Sequence, residues 1–167
     1  MAGSNSPILG DDPSVERALR QAGWTPGRRI DVTTWISMLE QAGYEMHDTA
    51  LRVWAEFGNL RIRSSEGCDP PSNLMIDPAD GCIDSVEECR TLSDNLSMRY
   101  FPLGMWSNQF RCYIGADSSV VAASVDTIWR LGPTFADALH YVVEGDETSS
   151  HEEIVTWLQP GPPRRKK

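Results

Sequence analysis

The residues here that could do chemistry are three histidines, four cysteines and twenty-four carboxylates. His47, His140 and His151 stand far apart, and none falls in a His-x-x-x-His spacing that would put two ligands on one helix face. His47 sits at a helix entry, where capping is the ordinary role. His140 follows Leu139 on what should be a polar helix side. Cys68, Cys82, Cys89 and Cys112 form no Cys-x-x-Cys pair, so reduced thiols are expected and a zinc site is not. Cys112 alternates with polar neighbours on an apolar strand face and reads as a small core residue. The segment Asp77 to Glu88 partly resembles a calcium loop, since Asp80, Gly81, Ile83, Asp84 and Glu87 fit its later positions. Its first two ligand positions fall on Ile76 and Pro78, which offer no side-chain oxygen. A turn leading into a helix with an acidic first turn explains the same residues better.

Other catalytic signatures are missing. There is no Gly-x-Ser-x-Gly elbow, no Gly-rich phosphate loop and no His-Glu-x-x-His. The only lysines are Lys166 and Lys167, so the folded part has no phosphate-binding or Schiff-base lysine. The expectation is therefore a chain with no cofactor, no metal and no catalytic residue, a binding module rather than an enzyme. An active site assembled from residues distant in sequence is the lesser reading.

Charge gives the more positive signal. Residues 64–163 hold sixteen acids against four arginines, whereas residues 1–63 hold eight acids against seven arginines. A field of that sign repels nucleic acid and speeds encounter with a basic protein. The bland explanation, an acidic surface that merely keeps the chain soluble, is as common. Asp77 to Asp94 is the densest stretch, with six acids against Arg90 alone. On a helix beginning near Asp84, the residues Asp84, Glu87 and Glu88 would share a face and repel one another, a repulsion that a basic partner would relieve. Trp106 follows Phe-Pro-Leu-Gly-Met and precedes a turn at Ser107-Asn108. An aromatic exposed there would mark an interface, although packing on the sheet is the commoner fate. The expected partner surface is Asp80, Asp84, Glu87, Glu88 and Asp94, joined by Trp106 and Asp117.

The elements that must carry these residues follow from periodicity. Val15, Ala18, Leu19 and Ala22 form one helical stripe between Asp12 and Gly23. Trp35, Met38, Leu39 and Ala42 form a second, with Asp31 as its cap and Gly43 at its end. Ala50, Val53, Trp54 and Phe57 form a third between Asp48 and Gly58. Strands are predicted around Leu60 and Ile62, from Asn73 to Ile76, Phe101 to Trp106, Phe110 to Ile114, Val120 to Ala123 and Thr127 to Leu131. Asp84 to Leu96 reads as a helix between the second and third of these. A last core helix opens at Thr134 with Phe135, Ala138, Leu139 and Val142. Trp24, beside Gly23 and Pro26, should plug the gap between the first two helices. Residues 1–11 read as a disordered leader with neither basic residue nor apolar run, which argues against a secretory signal and for a cytoplasmic protein. Residues 12–146 form one domain. Residues 147–159 read as a polar extension in which Ile154, Val155 and Leu158 could make a short helix. Residues 160–167 read as a disordered basic tail. No apolar run reaches the length of a membrane span. Helices, then strands, then a helix argue for an α+β fold with a mainly antiparallel sheet.

Four segments, in order, resemble one family. They are Ala22-Gly-Trp-Thr-Pro-Gly-Arg-Arg-Ile-Asp31, Glu56-Phe-Gly-Asn-Leu-Arg-Ile62, Phe101-Pro-Leu-Gly104 and Leu131-Gly-Pro-Thr-Phe-Ala-Asp-Ala-Leu139. Together they look like the SUKH superfamily, in particular its immunity-protein subgroup with an Ala-Gly-Trp-x-Pro-Gly-Arg opening, over about residues 13 to 145. The resemblance implies an α+β fold with a mixed, curved sheet flanked by helices. It also implies a bacterial antitoxin that neutralises a polymorphic toxin domain, often a nuclease or nucleic-acid deaminase. Its likeness to eukaryotic cell-wall regulators leaves a second reading, a regulatory or scaffold module with a non-toxin partner. The chain departs from the group at two turns. Asn59 stands where members usually carry a second glycine, and Ser118-Ser119 stands where a turn glycine is expected.

Overall fold

The computed structural model describes residues 12–44, 48–68, 71–79, 86–107, 110–124, 127–145 and 151–155, the last group by backbone alone except Val155. The expectations for residues 1–11, His47, Asp80, Cys82, Asp84, Asn108 and the 160–167 tail lie outside the described residues.

Three helices come first: α1 (Pro13–Ala22), α2 (Thr33–Ala42) and α3 (Asp48–Phe57). Asp12 caps α1, its carboxylate accepting the N–H of Val15, and Gly23 ends it in the left-handed conformation at φ 112°. The apolar stripe of α1 is buried at Val15, Ala18 and Leu19. α2 departs from its expected stripe: only Leu39 is fully buried, Trp35 and Ile36 are half-buried, and Met38 is exposed. Its N-cap is Val32. Asp31 sits one residue earlier and accepts both the N–H and the hydroxyl of Thr33, which holds its carboxyl below the usual range.

A seven-stranded sheet follows in strict chain order, each strand antiparallel to the next: β1 (Arg61–Arg63), β2 (Asn73–Ile76), β3 (Tyr100–Trp106), β4 (Phe110–Gly115), β5 (Val120–Ser124), β6 (Thr127–Gly132) and β7 (His151–Ile154). The sheet is antiparallel throughout, not mixed. α4 (Val86–Leu96) connects β2 to β3 and α5 (Phe135–Glu144) connects β6 to β7. The short helix expected near Ile154 is instead strand β7, whose backbone pairs with Thr127–Arg130 of β6. An open sheet edge supplies hydrogen bonds along a whole strand, which outweighs a weak local capping signal.

The sheet curls. Trp106 on β3 and Trp129 on β6 are three strands apart, about 14 Å in a flat sheet, yet their ring centroids lie 5.0 Å apart. α5 fills the concavity and touches β1, β2 and β6. On this concave face Phe57 of α3 meets Phe135 of α5, and Trp54 stacks on Phe101 at 5.5 Å. Ile114 lies opposite Phe101 in the ladder, so Phe110, Cys112 and Ile114 face this core. Arg111 and Tyr113 alternate with them and face the other way, where α4 packs.

Candidate partner interface

The four resemblance segments prove to be parts of one scaffold. Trp24 is 1 % exposed, and its indole N–H donates to the Glu56 carboxylate at 3.0 Å. Arg28 donates to the Glu56 carbonyl at 2.7 Å, and partial burial pulls its guanidinium pKa down. The first two segments are thus bonded to each other. A Cβ on Gly58 would lie 2.5 Å from the Trp54 carbonyl oxygen, so only glycine fits at that crossing. In the third segment the Pro102 carbonyl accepts the Trp54 indole N–H at 3.0 Å. A Cβ on Gly104 would lie 1.8 Å from the Met75 carbonyl oxygen, so glycine is required where β3 shifts register. In the fourth, the Thr134 hydroxyl caps α5 by accepting the Asp137 N–H, and Phe135 enters the core. The capping box is partly formed, since Thr134 bonds the Asp137 carboxylate through its own hydroxyl.

These segments hold the scaffold together, in the order in which the resemblance reads them. The family model described as SUKH-3 immunity protein matches residues 12–145.

The chain belongs to the SUKH-3 immunity protein family.

No curated protein and no solved structure matches it. Asn59 and Ser118, at the two turns where the resemblance implied a glycine, both occupy left-handed backbone, at φ 67° and 71°, so these turns keep a glycine-like shape without the glycine.

The expected partner residues separate. Glu87 is exposed, 85 % by side chain, and makes an i,i+3 pair with exposed Arg90. Glu88 is only 14 % exposed and turns to the convex sheet face. It accepts from Arg111 Nε and Nη2 at 2.6 and 2.7 Å and from the Tyr113 hydroxyl at 2.6 Å. Those bonds raise the Arg111 guanidinium above its ordinary range. The common face expected for Glu87 and Glu88 is therefore absent, since one faces solvent and the other clamps α4 to β4. Asp94 is exposed and lines a small cleft with Arg90, Arg99 and Tyr100. Trp106 is not exposed at its turn. It is buried among Phe110, Trp129 and Tyr141, and its indole N–H has no hydrogen-bond partner among the described residues.

Asp117 lies on the β4–β5 turn and is exposed. Its Oδ1 accepts the N–H and the hydroxyl of Ser119 at 2.9 and 2.6 Å. It borders a groove of about 440 Å³ between the end of α4, the start of β3 and strands β5 and β6. Leu96, Met98, Tyr100, Val120 and Arg130 also border that groove. Tyr100 bonds Ser119 there, and burial pushes its hydroxyl pKa up. Nothing in the sequence marks this groove, because its walls come from three separated segments of unremarkable composition. Among the described residues no three His, Cys, Asp or Glu groups converge as a metal site would need, and no helix is long and apolar enough to cross a membrane.

Proposed function

We propose that this SUKH-3 protein binds a toxin protein and blocks it by occupying its working surface, without chemistry of its own. The observation that carries this reading is the use of the family segments: Trp24, Glu56, Gly58, Pro102, Gly104 and Thr134 all hold the scaffold together. A signature confined to fold-building residues leaves recognition to the surface, as a binding module requires. The charge supports a basic partner. Residues 64–163 carry sixteen acids against four arginines. Toxin domains that act on nucleic acid, such as nucleases and deaminases, present basic surfaces to their substrate, and an acidic inhibitor would cover such a surface.

Within the expected surface, Glu87, Asp94 and Asp117 are the exposed carboxylates among the described residues, with Asp80 and Asp84 preceding α4 in sequence. Glu88 contributes by fixing α4, and Trp106 by supporting the sheet behind it. The test is association with a toxin encoded by a neighbouring gene, measured across a salt series. The doubly changed protein Glu87→Gln, Asp94→Asn should associate more slowly at low salt and show a shallower salt slope. An unchanged rate and slope would remove the acidic surface from the reading.

A further inference from the structure

The groove beside Asp117 has a geometry that suits one kind of ligand group. We propose that it receives a basic side chain of the toxin, an arginine or lysine, with Asp117 as counter-ion and the aliphatic lining as the seat for the stem. The proposal rests on the toxin-binding reading and names the pocket through which it works.

Three observations lead there. First, the carboxylate is held in place. Its Oδ1 is fixed by two bonds from Ser119, which leaves Oδ2 for a ligand. The turn around it is tied on every side: Gly115 N–H to the Ser119 carbonyl, Ala116 N–H to the Arg99 carbonyl, and the Thr49 hydroxyl to the Ala116 carbonyl. A carboxylate that need not be ordered on binding loses less entropy when a ligand arrives.

Second, the lining suits an alkyl stem under a charged head. Leu96, Met98 and Val120 are aliphatic, and Tyr100 adds a ring with a polar tip. Arginine and lysine bury their methylenes on such surfaces while the head seeks a partner. Gly115 makes the convergence possible. A Cβ there would lie 2.6 Å from Met98 Cγ, 2.9 Å from Asp117 Oδ1 and 3.0 Å from Ser119 Oγ.

Third, the end of α4 adds negative potential beside Asp117. Leu96 is the last residue of α4, so the negative end of that helix opens at the groove, and the helix has no basic residue in its last turn. Asp94, on the same turn, is exposed. Arg130 is a cation of the groove wall: it is engaged within the protein and acts on Tyr100 more strongly than Asp117 does, so Asp117 and the end of α4 are the groups left to hold a ligand cation.

The test uses the full-length protein with labelled backbone amides and two capped tripeptides, Ac-Ala-Arg-Ala-NH2 and Ac-Ala-Glu-Ala-NH2. The arginyl peptide should move the amides of Met98, Tyr100, Asp117 and Ser119 saturably, and the glutamyl peptide should not. Asp117→Asn keeps an oxygen for the Ser119 bonds and should weaken the arginyl response at least tenfold, with the remaining amide spectrum unchanged. Arg130→Gln should leave the arginyl response within about twofold. Three results would overturn the proposal: no saturable arginyl response, an arginyl response that Asp117→Asn leaves intact, or a glutamyl response that Arg130→Gln abolishes. Failure of the unaltered protein to bind a neighbouring-gene toxin would count against the function and not against the groove.

Discussion

Glu88 accepts three hydrogen bonds from the sheet, whereas Glu87, its neighbour, points to solvent. Stability should follow that difference. Glu88→Gln leaves the Arg111 charge and the buried Tyr113 hydroxyl poorly matched and should cost about 2–3 kcal/mol, in line with breaking a charged, largely buried hydrogen-bond set. Glu87→Gln should stay within about 0.5 kcal/mol, as ordinary surface changes do. Urea unfolding of the two variants checks this, and equal effects would contradict the clamp. A binding experiment that changes Glu88 together with surface acids would therefore confuse folding with recognition. Trp24 belongs at the same scale. Trp24→Ala should cost about 3–5 kcal/mol for the lost ring, and Trp24→Phe about 1–2 kcal/mol for the lost bond to Glu56. A thermal or urea transition moved by less than about 1 kcal/mol in the alanine variant would contradict its role as a plug.

At the level of elements, the amphipathic helices were legible because their stripes are long and their caps chemical. Asp12 and Gly23 bound α1 as their residue types require, and Thr134 and Gly145 bound α5. The strands were legible from alternation. What escaped was set by partners far away in sequence. Met38 fits a helical stripe on paper, yet α2 buries only Leu39 completely, because α2 lies at the margin of the core and has one-sided cover. β7 carries polar residues that read as a helix start, but the open edge of β6 claims them. The turns add a quantitative case. Ser118 holds φ at 71° without the freedom of glycine. The left-handed cost for a residue with a Cβ is about 1–2 kcal/mol, offset in part by the extra chain entropy glycine loses. Ser118→Gly should accordingly stabilise the protein by about 0.5–1 kcal/mol. Asn59→Gly should be near neutral, since asparagine tolerates this region. Parallel urea titrations would check both, and a destabilised Ser118→Gly would show that its side chain does more than fill a turn.

Across the whole molecule, the residues of the four resemblance segments build a curled sheet around α5, and Glu87 and Asp94 stand exposed on α4 at its other face. Acidity was legible from composition, but its placement was not. Glu88 looked equivalent to Glu87 until the sheet supplied Arg111 and Tyr113. The groove at Asp117 joins the ends of α4, β3 and the β4–β5 turn, and no local pattern encodes such a meeting. Trp106 followed the commoner of its two expected fates, packing on the sheet, and the curl brings Trp129 and Tyr141 over it. Protection by binding is tested by co-expression. A neighbouring-gene toxin that arrests growth when expressed alone should be silenced by this protein, and the two should purify as a stable complex. Continued arrest in cells that contain the folded protein, with no complex recovered, would contradict protection by binding.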